Sequence, residues 1–284
     1  MDEHLCWTIG DVTVVRVEER VMAIEPRFIV PGLTPAVIDP LRAWAAPFVT
    51  DDGRMLLSVH AFVVTDGDTT VVVDTCVGPH RDRPLPGDDS FVDRLAAAID
   101  GGLAAVDVVL CTHLHFDHVG WHTRRDGDRW VPTFPNARYL FAREEVAHLR
   151  RDDDHGLHAV AIAPIAEAGQ AELVEPDHRV SRSLRLTPTP GHTPAHVSVR
   201  IESGGAAALI TGDCVHHPVQ FHHPDLAADP FDWDTARSTA TRRALVERLA
   251  DSGTLVLGTH FAPPTAGRIE TGPDGAVRFA TVLH

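Results

Sequence analysis

The sequence predicts an α+β fold in which helices pack on two sheets. Three observations point there. Strand-type and helix-type patterns are mixed along the chain, in the order strands, helix, strand, helices, strands, helix, strand. No long linker divides them, so residues 1–284 read as one domain. The length, 284 residues, suffices for one large core. No apolar run is long enough to span a bilayer, which excludes a membrane protein.

The elements follow in order. Residues 7–17 alternate apolar and polar side chains around Gly10-Asp11, as a first hairpin would. The segment at about 22–57 differs: it carries Pro26, Pro31, Pro35, Pro40 and Pro47 with Phe28, Trp44 and Phe48 between them. Proline removes backbone donors, so this stretch reads as a long loop covering the body, over a pocket or at a homodimer contact. Residues 58–64 and 69–74 are β-branched runs joined at Asp66-Gly67-Asp68, a hairpin signal. Ser90 is placed to cap an amphipathic helix over 90–99. Residues 106–112 form an almost wholly apolar strand, buried on both faces. A strand at 137–141, helices at 143–151 and 157–168, and strands at 184–187, 196–201 and 206–211 follow, with Gly204-Gly205 as a turn. Asp234 caps a helix over 236–250, and strands at 255–257 and 276–282 complete the set.

Charge and composition narrow the function. The net charge is −15, the wrong sign for a reader of nucleic-acid backbone. All 25 basic residues are arginine, which excludes a Schiff-base lysine or a phosphate-loop lysine. Cys6, Cys76, Cys111 and Cys214 show no CxxC pairing, and the acidic start Met1-Asp2-Glu3-His4 has no apolar stretch behind it. A reduced, cytoplasmic protein is expected.

The chemistry concentrates in Thr112-His113-Leu114-His115-Phe116-Asp117-His118, directly after the buried strand. Residues two apart in an extended segment point the same way, so His113 and His115 can reach one metal. Asp117 and His118 follow a turn and can face a second. Candidates recur in Gly191-His192, Gly212-Asp213 and Gly258-Thr259-His260, each just after an expected strand. A glycine in each lets the backbone turn sharply beside the site. Imidazole and carboxylate ligands suit zinc, and an all-N/O set also accepts Mn, Fe or Co.

These four elements, in this order, resemble the metallo-β-lactamase superfamily, with the likeness running from about residue 59 to 260. The resemblance implies an αββα sandwich: two mixed sheets flanked by helices. It implies two Zn2+ per chain, with His113, His115 and His192 on one, Asp117, His118 and His260 on the other, and Asp213 bridging. It implies that Asp74 supports the ligands from behind. A redox di-iron site of this fold carries Glu where His115 stands, which counts against that chemistry.

Within the superfamily, His113 to Trp121, Gly212 to Gln220 and Gly258 to Gly267 resemble the quorum-quenching lactonase and methyl parathion hydrolase branch. That implies a hydrolase of lactones or neutral esters, with a metal-bridging hydroxide as nucleophile and Asp117 as proton acceptor. A phosphotriesterase, a thioesterase or a non-catalytic metal-binding protein is the alternative. Several of the lactonases have Tyr three residues after the bridging Asp; here that position is His216, expected beside the substrate oxygen as an oxyanion donor and outside the ligand set. His217, His222 and His223 read as surface or loop residues. Phe116, Trp121, Phe221, Trp233 and Phe261 neighbour the motifs and are candidates for an apolar pocket wall. The buried cysteines read as small hydrophobes.

Overall fold

A computed structural model describes residues 4–79, 85, 87–153 and 156–282. The acidic start at residues 1–3 lies outside them. Strands β1 (Cys6–Ile9) and β2 (Val12–Ile24) form the first hairpin, and β3 (Met55–Asp66) and β4 (Thr69–Val73) the second. Then come β5 (Val108–Leu110), a small hairpin of β6 (Thr123–Asp126) and β7 (Arg129–Pro132), β8 (Arg138–Ala142) and β9 (Ala171–Val174). The first sheet runs β1-β2-β3-β4-β5-β8-β9. It is antiparallel through β4 and parallel from β4 to β9. The second sheet runs in sequence order: β10 (Leu184–Pro188), β11 (Val197–Ser203), β12 (Ala206–Ile210), β13 (Leu255–Leu257), β14 (Ala266–Thr271) and β15 (Val277–Thr281). Only β12 and β13 pair in parallel within it.

Period-two alternation builds the layers. Phe62 and Val64 of β3 point between the sheets, joining Val71, Leu110, Val199 and Leu257. Ala61 and Val63 point the other way, to a core with Phe91, Tyr139 and Ile165. The outer face of the second sheet packs Leu209 and Val256 against Leu245 and Leu249. Helices therefore cover both outer faces: the αββα sandwich expected from the resemblance.

The helices are α1 (Pro35–Ile38), α2 (Arg42–Ala45), α3 (Phe91–Ala97), α4 (Phe116–Val119), α5 (Arg143–Leu149), α6 (Ala163–Glu167), α7 (Val219–His222) and α8 (Thr235–Leu249). Asp234 caps α8 as expected, Oδ1 accepting from Arg237 N at 2.9 Å. Ser90 does not cap α3: its backbone is already helical and its hydroxyl donates to Asp88 Oδ1 at 2.7 Å. The strand expected over 106–112 is only three residues long, because the chain leaves the sheet to form the ligand loop. The helix expected over 157–168 opens with a π turn at His158–Ile162. Strands β6, β7, β9 and β14 were not foreseen.

The proline-rich stretch begins after β2 and ends before β3. It winds through α1, α2 and 3-10 turns and buries Val30, Leu33, Ile38, Leu41 and Val49 against Met55 and Val219. A register shift in β2 between Glu18 and Arg20 accommodates Glu19, whose buried carboxylate accepts from Val77 N at 3.0 Å and Asp88 N at 3.3 Å. This ties down the loop that carries Asp74. Among the described residues no helix is long and apolar enough to cross a membrane.

Candidate metal centre

The loops at one end of the two sheets converge on a cluster of histidines and aspartates. From the first sheet, β5 delivers His113 and His115, and α4 follows at once with Asp117 and His118. From the second, the turn after β10 delivers His192, a 3-10 turn after β12 delivers Asp213, and the loop after β13 delivers His260. Gly191 and Gly212 both have positive φ (134° and 56°). A Cβ on Gly212 would lie 2.4 Å from the His196 ring, and one on Gly191 would lie 2.2 Å from Ser238 N. Gly258 is needed for packing instead: a Cβ there would lie 2.1 Å from the Phe261 ring.

Asp213 sits at the centre. Its Oδ2 is 3.1 Å from His260 Nε2, 3.5 Å from His192 Nε2 and 3.9 Å from His113 Nε2. Its Oδ1 is 3.4 Å from His118 Nε2. Asp117 lies 3.7 Å from both His118 and His260. His115 Nδ1 is 3.0 Å from His192 Nε2. The sets His113-His115-His192, His113-His118-Asp213 and Asp117-His118-His260 each gather donor atoms close enough for one metal ion.

The far side of each ring is anchored. His118 Nδ1 donates to Asp74 Oδ2 at 3.0 Å, and His260 Nδ1 to Ser58 O at 2.8 Å. His192 Nδ1 donates to Asp232 Oδ1 at 3.1 Å. His113 Nδ1 lies 3.1 Å from Thr112 Oγ1, whose own hydrogen goes to Asp74. Each of these rings thus turns Nε2 inward. The buried Nε2 atoms of His113 and His118 and Oδ1 of Asp213 have no hydrogen-bond partner. Such orphaned buried atoms cost about 1–3 kcal/mol each. Convergent imidazole nitrogens and carboxylate oxygens fit a zinc-type cation.

Burial holds His113, His115 and His192 well below the ordinary imidazole range, His115 down to about 3. They are neutral, the ligating form. Burial acts the same way on His118, but Asp213, Asp117 and Asp74 outweigh it and raise that ring. Asp74 adopts φ 58° at the end of β4, where its carboxylate also accepts from Thr112 N at 2.7 Å. It therefore braces both the ligand loop and His118.

A cavity of about 770 Å³ opens onto the cluster. Its walls are mostly apolar: Met22 and Ile24 from the end of β2, Phe28 and Ile29 from the covering stretch, Leu149 from α5, and Phe231 before α8. Among the described residues no arginine lines it.

The sequence model of the metallo-beta-lactamase superfamily matches residues 54–260. The chain belongs to that superfamily. A probable metallo-hydrolase of Methanocaldococcus jannaschii is 28% identical over 134 residues, 46% of this chain and 60% of that protein. The chain thus spans about three fifths of that relative's length. Hydrolase AbOPH of the beta-lactamase superfamily superposes with a TM-score of 0.82 at 22% identity, covering 100% of this chain and 99% of that one. AidC, a dizinc quorum-quenching lactonase solved with a product, N-hexnoyl-L-homoserine, superposes with a TM-score of 0.79 at 18% identity, covering 99% and 98%. At these identities the likeness to the two structures is one of fold.

The metallo-beta-lactamase fold brings all seven expected ligands, Asp74 and His216 to one place. His216 comes closer to the ligands than expected: Nε2 is 3.2 Å from Asp213 Oδ2, and His192, Asp213 and His216 form a further set able to hold a metal. Other expectations hold only in part. His217 lies in a loop as expected but is buried there, with Nε2 donating to Phe48 O at 3.0 Å. Of the five aromatics proposed for the pocket wall, only Phe116 lines it; Trp121, Phe221 and Phe261 are core, and Trp233 is exposed outside it. The wall is made instead by Phe28, Ile29 and Phe231, which no motif marks. Three supporting residues were also missed. Asp232 stands behind His192. Glu145 Oε1 accepts from Ala195 N at 2.7 Å. His196 Nε2 accepts from Asp213 N at 2.8 Å. Cys76, Cys111 and Cys214 are free and buried, as expected of small hydrophobes.

Proposed function

We propose that the chain is a dinuclear zinc-dependent hydrolase of lactones or neutral esters, working as one unit with the proline-rich stretch as its pocket cover. The observation that carries this reading is the junction of seven convergent ligands with an apolar cavity that no described arginine lines. Among the described residues an anionic substrate would find no arginine lining the cavity, whereas an uncharged acyl chain would find Met22, Ile24, Ile29 and Phe231. The product-bound lactonase of the same fold supports the substrate class.

His113, His115 and His192 would hold one metal, Asp117, His118 and His260 the other, and Asp213 both. Two bound dications supply polarisation of the carbonyl and acidification of water toward neutral pH. Asp117 lies at the pocket floor with its side chain 15% exposed. It accepts the proton of the attacking water and returns it to the leaving alkoxide. His216 lines the same cavity and carries a buried Nδ1 with no partner. In this reading it donates to the oxygen that gains charge. The apolar walls exclude bulk water and orient the acyl chain.

The test is a panel of lactones, aryl esters, thioesters, phosphotriesters and cephalosporins offered to zinc-loaded protein. Turnover fastest on lactones or aryl esters supports the reading. A clear preference for phosphotriesters or thioesters replaces the substrate class and keeps the site. Zinc binding with no turnover of any member makes the chain a metal-binding protein.

A further inference from the structure

We infer that Asp232 is the positioning residue that sets His192 as a metal ligand, and that it acts from the same loop that walls the substrate cavity. The inference rests on the reading that the cluster holds two metals. The Asp232 side chain is fully buried, and Oδ1 lies 3.1 Å from His192 Nδ1. Its other oxygen accepts from Ala228 N at 3.2 Å, so the carboxylate is held from both ends. The backbone joins in: Trp233 N donates to His192 O at 2.9 Å, and Asp234 N to Gly191 O at 2.9 Å. Three hydrogen bonds thus clamp residues 232–234 onto residues 191–192. The absence of a side chain on Gly191 lets the start of α8 approach this closely.

The chemistry of the clamp is specific. A neutral imidazole can carry its hydrogen on either nitrogen. An aspartate at Nδ1 keeps the hydrogen there, leaves the lone pair on Nε2 facing the centre, and strengthens the ring as a donor. Among the described residues, a carboxylate stands behind one ring of each three-ligand group. Asp74 serves the Asp117-His118-His260 group, and Asp232 serves the His113-His115-His192 group. Asp74 also reaches His113 through Thr112, whereas the Asp232 carboxylate, among the described residues, bonds the candidate ligands at His192 only, so removing Asp232 should loosen one metal. Pro230 and Phe231 line the cavity immediately before Asp232, so the wall and the ligand support are one continuous loop.

The test is competitive titration of Zn2+ and Co2+ against a chromophoric chelator. If the parent binds fewer than two equivalents, the two-metal reading fails, independently of Asp232. If it binds two, Asp232→Asn should weaken one equivalent about tenfold and Asp232→Ala up to about a hundredfold. The other equivalent should stay within about threefold of the parent. A double-mutant cycle assigns the metal. In a His115→Ala background, Asp232→Asn should add little; in a His260→Ala background its full effect should persist. Parent affinity for both metals in Asp232→Asn overturns the inference. So does equal weakening of both, or full additivity with His115→Ala. The near-isosteric asparagine variant carries the test if the alanine variant does not fold.

Discussion

The residue with the most demands on it is Asp213, whose carboxylate lies within 3.9 Å of ring nitrogens from His113, His118, His192, His216 and His260. Its backbone N–H is held by His196, and the glycine before it lets the chain turn without striking that ring. His216 separates two roles. As an oxyanion donor it acts on the substrate; as a ligand it would act on the metal. The expected outcome is that His216→Ala keeps both metals and loses about 10²–10³ in kcat on the best ester, while Asp213→Ala loses metal and activity together. Elemental analysis beside steady-state kinetics decides it, and loss of a metal from His216→Ala would make that ring a ligand. The seven candidate ligands were legible because local spacing and strand ends announce them. Asp232 and His196 were not, because their roles depend on loops 40 and 17 residues away in sequence. His217 stands in a polar run of His and Pro that reads as surface. It is buried because the covering stretch, 169 residues earlier, offers it the carbonyl of Phe48.

That stretch shows how one element divides into structural and working faces. Phe48 is buried and sits edge-on to Phe261, Phe279 and His217, at centroid distances of 6.2, 5.8 and 6.2 Å. Phe28 is 57% exposed and lies at the cavity rim. Truncating a core phenylalanine costs about 3–5 kcal/mol, whereas surface changes usually stay within about 0.5 kcal/mol. Phe48→Ala should therefore lower the melting temperature sharply. Phe28→Ala should leave it nearly unchanged yet raise KM several-fold for long-chain esters, with kcat and metal content preserved. Unchanged KM across a chain-length series would make the rim residue a bystander. Sequence could show that this stretch was irregular, since its prolines forbid a continuous element. It could not show which aromatic turned inward, because no periodicity governs a chain of short turns. Strand β14 escaped for a related reason: Ala266, Gly267, Arg268 and Glu270 carry little β-propensity, and the strand is paired on both sides, by β13 and β15, with Phe279 of β15 lying against Gly267.

At the scale of the whole molecule, charge and burial together set the acid limit. With a net charge of −15, the protein should show no salt-sensitive binding of DNA or RNA in a gel-shift titration at physiological salt. The acid limit is expected from histidines buried as neutral rings away from the centre. His122 lies beneath the first sheet beside Tyr139 and Phe141, ring centroids 5.5 Å from each. Burial pushes its pKa down to about 3, with a smaller opposing effect from the Ala161 backbone. In the unfolded chain an imidazole titrates near 6.5. Between those values the unfolded state binds a proton that the folded state does not. Stability from this group is therefore fully present above about pH 6.5 and falls as pH drops toward 3. The slope is about 1.4 kcal/mol per pH unit when the unfolded ring is fully charged. Glu19 and Glu145, whose carboxyls burial raises, act in the opposite sense, so the slope of the parent alone mixes several groups. Comparison with His122→Leu isolates one of them. In metal-stripped parent and variant, urea unfolding at pH 7, 6, 5 and 4.5 should show the variant gaining on the parent as pH falls. The gain should approach about 1.4 kcal/mol per unit below pH 6. Parallel stability curves would mean that His122 keeps its charge state through unfolding, and that the acid limit lies in other groups.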